Sequence, residues 1–85
     1  MYTLLGFRKS NRKNKKYTAV LQNENNKQKL VHFGQLPYQH YYDKIGLYSD
    51  LNHLDEDRRH RYQQRFGRLP LKKYTPHWFS WNYLW

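Results

Sequence analysis

Residues 48–67, YSDLNHLDEDRRHRYQQRFG, contain the clearest helix signal in the chain. Three consecutive acids, Asp55–Asp57, precede a run of arginines, so the charges are separated by sign. Carboxylates are favoured in the first turn of a helix, where they face the positive end of the helix dipole. Gly67 would end the helix, because glycine readily adopts the left-handed conformation that is common just after a helix. The stretch therefore predicts a central basic helix over residues 52–67.

The apolar residues of this helix fall on one face. Leu54, Tyr62 and Phe66 recur at helical spacing, so they should pack together against the rest of the protein. Arg59 and Arg61 should point away from that face. The helix is thus expected to present arginines to a partner, while its aromatic side holds it on a small body.

The first 34 residues predict an antiparallel meander. Tyr2–Phe7, Tyr17–Leu21 and Leu30–Phe33 are short segments rich in the residue types that strands favour. Asn25 and Asn26 lie between the second and third segments, and asparagine tolerates the positive φ of a tight turn. A three-stranded sheet with one buried face needs a cover from elsewhere in the chain.

Between the first two strands, residues 8–16 read RKSNRKNKK, with six cations and no acidic or apolar side chain. We expect a mobile basic loop here. The simpler interpretation of such a run of charge is a solvated hairpin turn. The functional interpretation is a basic finger that becomes ordered when it meets phosphate or carboxylate.

The rest of the chain supplies two further segments. Residues 35–47 are rich in tyrosine and predict a turn or short helix that starts near Pro37. Thr75 and Pro76 are of the types that open a helix, and residues 75–85 are too apolar on every side to be exposed. This segment should cover the sheet, with a docking plug for a partner as the alternative. Its core or interface anchors are Trp78, Phe79, Trp81, Tyr83 and Trp85.

Together these elements predict a single α+β domain over residues 1–85. It comprises a small N-terminal antiparallel sheet of about three strands, packed with a central basic helix and a C-terminal aromatic helix or turn. The core should be thin, because the hydrophobic fraction of 38% depends heavily on nine tyrosines, whose hydroxyls need water or a partner. Without cysteine the chain has no disulfide framework to strengthen that core.

The charge of the chain narrows the classes of partner. Sixteen Lys and Arg against six Asp and Glu give a net charge of +10. Such a balance favours nucleic acid, an anionic membrane or an acidic protein surface. No window approaches the roughly 18 consecutive apolar residues of a membrane span, and the N-terminus lacks the pattern of a secretory signal. We therefore expect no membrane span, and synthesis in the interior of a cell.

The cations form two groups along the sequence, and five of the six acids lie between Asp43 and Asp57. This order of charges is more typical of a protein that bridges two partners than of a protein with one continuous basic groove. Arginine also favours planar, bidentate pairing with carboxylate or phosphate. The residues predicted to bind anionic partners are Arg8, Lys9, Arg12, Lys13, Lys15, Lys16, Arg58, Arg59, Arg61, Arg65, Arg68, Lys72 and Lys73.

Patterns that carry catalysis are weak. The four glycines are scattered and form no phosphate-binding loop, and the serines lack a nucleophile-elbow context. His53 and Asp57 are four residues apart, with His60 further along, a spacing that a metal-dependent nuclease could use. The helix dipole explains Asp57 equally well, and a local hydrogen bond before the helix explains His53. We expect no enzyme activity, metal site or cofactor.

Several segments resemble one family. MYTLLGFRKSNRKNKKY at residues 1–17, HFG at 32–34, YDK at 42–44, GLYSDLNHLDEDRRHRY at 46–62 and YTPHWFSWNYLW at 74–85 resemble small, basic, uncharacterised proteins of large double-stranded DNA viruses of the nucleocytoplasmic type. That family has a short sheet region before a Tyr-Ser-x-Leu-x-His-x-Asp-x-x-Arg-Arg-x-x-Tyr helix and ends close to Phe-Ser-Trp-x-Tyr-Leu-Trp. This chain departs from the pattern at Ile45-Gly46 and at Arg65-Phe66, where Thr-Gly and Arg-His are common.

The resemblance implies a viral gene product and carries no activity with it. With the composition, it favours a non-enzymatic minor capsid or virion component that bridges or cements acidic surfaces of other capsid proteins. The expected location is the virion, after synthesis in the host cell interior. The alternative is a nucleic-acid-binding protein that organises or packages viral DNA, and a second alternative is the metal-dependent nuclease.

Overall fold

The computed structural model describes residues 1–85, which form an antiparallel sheet followed by two helices. The elements are β1 (Thr3–Lys9), β2 (Lys15–Gln22), β3 (Gln28–Gln35), a short 3₁₀ helix (Ser49–Leu51), α1 (Glu56–Phe66) and α2 (Pro76–Tyr83). The strand order is β1-β2-β3 with both pairs antiparallel. The predicted α+β fold with an N-terminal three-stranded sheet is therefore confirmed.

The hairpin between β1 and β2 is tighter than predicted. Strand pairing continues to Lys9 opposite Tyr17, and the Ser10 main-chain N–H donates to the Lys16 carbonyl at 3.0 Å. Asn14 takes the positive φ of 68° that the turn requires. The basic loop is therefore shorter than the predicted 8–16: residues 8–9 and 15–16 lie in the strands, and residues 10–14 form the turn. The second hairpin turns at Asn26, with φ of 61°, as predicted.

The core lies between one face of the sheet and the C-terminal segment. Its buried residues are Tyr17, Ala19, Leu21, Val31, Phe33, Phe79 and Leu84. Phe79 of α2 stacks on Phe33 of β3, with ring centroids 5.1 Å apart. Burying such a side chain contributes about 1.5–3 kcal/mol. The prediction that the C-terminal segment covers the sheet is confirmed.

Residues 36–48 contain no helix and wrap around one end of the sheet. Main-chain hydrogen bonds tie this loop to the C-terminal segment, from the Tyr42 N–H to the Leu84 carbonyl at 3.1 Å and from the Lys44 N–H to the Tyr83 carbonyl at 3.0 Å. A bridge between His40 and Asn52 closes the loop on itself. The loop is therefore held against the end of α2.

Helix α1 begins at Glu56, later than predicted. Asp55 is the N-cap, and its side chain accepts from the main-chain N–H groups of Asp57 and Arg58. Leu54 precedes the cap with a positive φ of 54° and is 60% exposed. The prediction that Leu54 shares the packing face of the helix is wrong, because a residue with left-handed φ cannot continue a right-handed helix backwards.

Gly67 ends α1 for a different reason from the one predicted. Its φ is −66°, in the right-handed region, so left-handed freedom is not what the position requires. A Cβ at residue 67 would lie 2.4 Å from the Gln63 carbonyl oxygen. Glycine is needed here because the main chain turns back too closely on the last helical turn. Neither helix has the length and the apolar run needed to cross a membrane.

Candidate anion-binding cleft

Lys16 is the unusual residue of the candidate site, because it is a lysine with a buried side chain: 2% of the residue is exposed. Its Nζ lies 2.8 Å from Nδ1 of His40, whose Nε2 lies 2.7 Å from Oδ1 of Asn52. The amide oxygen of Asn52 can only accept, so the Nε2 of His40 carries the proton and Nδ1 accepts from the lysine. The imidazole is therefore neutral, and Lys16 is the donor to it.

Asp43 is a buried carboxylate that the main chain and Tyr17 already satisfy. It accepts hydrogen bonds from the Tyr17 hydroxyl, from the Tyr48 N–H at 2.8 Å and from the Ile45 N–H at 2.9 Å. Burial by itself would raise the pKa of Asp43, but these hydrogen bonds, led by that of Tyr17, hold it below its ordinary value. No carboxylate oxygen lies within 4.0 Å of Lys16 Nζ, so the lysine lacks an ion-pair partner in the chain.

The surroundings of Lys16 perturb both members of the Lys16–His40 pair. Burial lowers the pKa of Lys16 to about 8, against a weaker attraction from Asp43 that raises it. Burial and the charge of Lys16 lower the pKa of His40. Both shifts have the sign expected when a cation is removed from water without a counter-ion. A perturbed lysine in a cleft is a candidate functional residue.

Lys16 lines a cleft of about 700 Å³. The start of β2, the end of β3, the C-terminal half of α1 and residues 76–85 surround it. Lys15 and Arg65 line the same cleft, and no Asp or Glu does. The structure thus brings together cations from the two groups that the sequence separates. The cleft can therefore attract an anion, and no acidic side chain of its lining would repel it.

Aromatic rings form one wall of the cleft. Tyr62 of α1 stacks on Trp85 with ring centroids 4.3 Å apart and an interplanar angle of 4°. Phe66 lies against Tyr62 at 4.7 Å. Arg59 strengthens this contact by donating from Nε to the Trp85 main-chain oxygen at 2.9 Å. The prediction that Tyr62 and Phe66 share a packing face is confirmed, whereas Arg59 points toward the protein and not away from it.

The other cations of the first hairpin gather near His32, which Ser10 Oγ and Thr18 Oγ1 each approach to 2.8 Å from Nδ1. Burial, and then the charges of Arg12, Arg8 and Lys15, lower the pKa of His32. Lys9 lies over the ring of Tyr48 at 5.0 Å, and Lys13 is exposed. Arg8, Arg12 and Lys15 thus lie near His32, and Lys15 also lines the cleft with Lys16.

The cations of the second group, between residues 58 and 73, differ in what their side chains contact. Arg58 donates from Nη1 to Gln39 Oε1 at 2.9 Å, and Arg65 lies over the ring of Phe66 at 5.2 Å. Lys73 lies over the ring of Tyr74 at 5.0 Å. Arg61, Arg68 and Lys72 are exposed and form no ion pair.

Most of the predicted aromatic anchors are partly buried, and one is fully buried. Phe79 is fully buried, and Tyr83 packs on Phe7 at 4.8 Å. Trp78, Trp81 and Trp85 are half-buried. Phe79 is therefore a core residue, and the tryptophans have ring surface that a partner could still contact.

The residues considered for a nuclease do not form a metal site. His53 Nδ1 accepts from the Asp55 N–H at 2.9 Å, which confirms the predicted local hydrogen bond. No group of three or more His, Cys, Asp or Glu side chains is placed to hold a metal ion. Asp57 lies in the first turn of α1 and is exposed.

Sequence reasoning missed His40 and Asn52. The two are twelve residues apart, and His40 is twenty-four residues from Lys16, so no local spacing connects the three. Their signal in the sequence is limited to their occurrence as polar residues, His40 in the tyrosine-rich loop and Asn52 just after the 3₁₀ helix. Only the path of the loop brings them to Lys16.

Residues 5–45 match the model of a protein family described as a family of unknown function, DUF5754. The matched part begins within β1, spans β2, β3 and the loop as far as His40 and Asp43, and ends before Asn52 and both helices. No curated protein and no solved structure matches the chain. The chain is thus similar to this family in the half that carries Lys16.

Proposed function

We propose that the protein is a non-enzymatic docking protein that binds acidic surfaces of other proteins through Arg and aromatic contacts. One observation carries the proposal. Of sixteen Lys and Arg side chains, only Arg59 lies within 4.0 Å of a carboxylate, that of Glu56 at 3.8 Å. The chain does not neutralise its own positive charge, so this charge is available to an external partner.

Exposed rings and aliphatic side chains supply the rest of an interface. Tyr38 is 64% exposed, Tyr42 is 50% exposed and Leu69 is 51% exposed. Tyrosine, tryptophan and arginine dominate the energetic centres of protein interfaces. A partner that covered these groups together with the cations would gain apolar burial as well as ion pairs.

The resemblance to small basic proteins of large double-stranded DNA viruses supplies the setting of the proposal. In that setting the protein is a minor capsid or virion component that cements shell proteins with acidic surfaces. Cations from both groups line one cleft, so two separate partners are not required.

A charge reversal at Arg61 tests the proposal. Arg61 is exposed and without an ion pair, so Arg61→Glu should change the free energy of unfolding by no more than about 0.5 kcal/mol. The variant should bind acidic shell proteins more weakly, as measured by co-sedimentation with a disassembled shell fraction. Lys27→Glu, an identical reversal in the turn between β2 and β3, is the control and should bind as the wild type does. Equal binding by wild type and Arg61→Glu would count against the proposal.

Nucleic acid is the second candidate, and the cluster of Arg8, Arg12 and Lys15 around His32 favours it. A protein that makes about six phosphate contacts loses about 10³-fold in affinity between 50 and 200 mM salt, whereas a docked aromatic interface tolerates moderate salt. Tight binding of duplex DNA at physiological ionic strength, together with absence from the shell fraction of purified particles by mass spectrometry, would replace the docking proposal with this one.

A further inference from the structure

The buried ammonium group of Lys16 lacks part of its hydrogen bonding. An ammonium group has three N–H donors, and its one hydrogen-bond partner in the chain is Nδ1 of His40. Burying a cation beside a neutral group is costly unless an anion completes its surroundings. Because Lys16 lines the cleft, an anion that entered from outside would reduce this cost.

The other charges of the cleft favour the same kind of group. Lys15 and Arg65 approach it from β2 and from α1, and Arg65 carries the planar donors that pair bidentately with phosphate oxygens. No acidic side chain lines the cleft. A phosphate in the cleft would therefore be attracted by three cations from two elements, and no acidic side chain of the lining would repel it.

The remaining walls suit a planar polar ring. Phe66 and Tyr62 line the cleft and are half-buried, and nucleobases stack on aromatic side chains of this kind. Gln35 and Ser80 also line the cleft and offer hydrogen-bond donors and acceptors. Nε2 of His77, a further lining residue, is buried without a hydrogen-bond partner. A base could use these groups, whereas a plain apolar ring could not.

We propose that the cleft binds one nucleotide unit, with its phosphate on Lys16, Lys15 and Arg65 and its base against Phe66 and Tyr62. A volume of about 700 Å³ is in the range of small-molecule sites. The nucleotide is either free or part of a single strand, since both present one phosphate beside one base. Tyr38 and Leu69 of the docking surface also line this cleft, whereas Arg61, whose charge reversal tests the docking function, does not.

Titration calorimetry with small ligands tests the assignment. A nucleoside 5′-monophosphate should bind at least tenfold more tightly than the nucleoside, ribose 5-phosphate or phenyl phosphate, because only it has both a phosphate and a base. The proposal is overturned if the monophosphate does not bind. It is also overturned if ribose 5-phosphate or phenyl phosphate binds as tightly, because the base would then contribute nothing.

Two matched substitutions on one helix locate the binding. Arg65→Gln removes a cleft cation and should weaken monophosphate binding about tenfold or more, as expected for a lost charge-assisted hydrogen bond. Arg61→Gln makes the same change outside the cleft and should leave binding unchanged. Equal effects of the two would overturn the site. Lys16→Met should also abolish binding, with its circular dichroism spectrum as the check on folding, and Arg65→Gln keeps the test decisive if Lys16→Met does not fold.

A 5′-phosphorylated single strand of about six nucleotides distinguishes the two sources. If the strand binds more tightly than the monophosphate and the monophosphate displaces it, the unit belongs to a strand. If the strand binds no more tightly, the ligand is a free nucleotide. Strand binding that Arg65→Gln leaves unchanged and the monophosphate does not compete would overturn the cleft as the site. Co-sedimentation with the shell fraction does not depend on any of these results, so the docking proposal stands or fails separately.

Discussion

Lys16 is the residue at which charge and burial conflict most in this protein. Its ammonium group is inside the fold, next to a neutral imidazole and without a carboxylate within 4.0 Å. Burial lowers its pKa from 10.5 to about 8. Between these two pH values the unfolded chain binds more protons than the folded one. The free energy of unfolding must then increase with pH.

This linkage gives a prediction for alkaline pH. The free energy of unfolding, measured by urea denaturation, should increase from pH 8 to about pH 9.5 in the wild type and stay flat in Lys16→Met. The measurement stops below pH 10 because burial raises the pKa of Tyr17, and raises that of Tyr62 to about 12. Above pH 10 the unfolded chain loses these tyrosine protons first, which lowers stability.

Lys13→Met is the control for this experiment, since Lys13 is exposed in the same hairpin. It should retain the increase in stability with pH. An increase that persisted in Lys16→Met would show that another group causes it.

At the scale of single elements, the three consecutive acids before α1 have different roles. Asp55 is the N-cap and accepts main-chain hydrogen bonds at 3.0 and 3.3 Å. Glu56 lies in the first turn and pairs with Arg59, whereas Asp57 only lies in the first turn. We predict that Asp55→Ala lowers the free energy of unfolding by about 1 kcal/mol. Asp57→Ala removes only a favourable dipole interaction and should cost less, about 0.5 kcal/mol. Urea denaturation of the two variants measures the difference, and equal costs would contradict the capping role.

Helix α1 has no buried residue, so a few contacts hold it on the molecule. Chief among them are the Tyr62–Trp85 stack and the hydrogen bond from Arg59 to the Trp85 main-chain oxygen. Trp85→Ala should therefore allow α1 to open locally while the sheet stays closed.

Hydrogen exchange measures this local opening. We predict amide exchange at least tenfold faster in α1 of Trp85→Ala, because the variant loses the burial of the indole ring as well as about 0.5–1.5 kcal/mol from the aromatic pair itself. Exchange in β2 should be unchanged. Tyr42→Ala removes a ring that is 50% exposed and should affect neither element. Faster exchange throughout the chain would mean that Trp85 supports the whole fold instead.

At the scale of the whole molecule, the protein combines a small core with a large net charge. Only 11 of 85 residues are buried, and the net charge is +10. The ion pairs of the fold are Arg59 with Glu56 and the N-terminus with Glu24. Repulsion between like charges is therefore large, and few attractive pairs offset it. Net charge of this size destabilises a compact state through self-repulsion.

Salt should therefore stabilise this protein. The Debye length falls from about 10 Å at 0.1 M to about 3 Å at 1 M salt, so we predict that the Tm measured by calorimetry is several degrees higher in 1 M NaCl. The triple variant Lys13→Gln, Arg61→Gln, Arg68→Gln should have a higher Tm than the wild type at 0.1 M NaCl, and its Tm should change less with salt. A Tm that fell with salt would show that attractive pairs, not repulsion, dominate.

Local patterns determined much of the fold. The N-cap at Thr75, the turn at Asn26 and the strand over Tyr17–Leu21 all depend on neighbouring residues, and each was predictable from them. The anchor Phe79 was predictable as part of a cover because its segment is too apolar to be exposed.

Tertiary structure alone decided the rest. Lys16 belongs to a charged run in the sequence, yet the loop around His40 buries it. Leu54 is apolar, yet it has a positive φ before the helix and is exposed. Gly67 ends a helix because the main chain approaches the last helical turn too closely for a Cβ. The cleft joins Lys16 to Arg65 across forty-nine positions of sequence. Burial and charge proximity depend on distances between segments that are remote along the chain, and local residue patterns do not contain those distances.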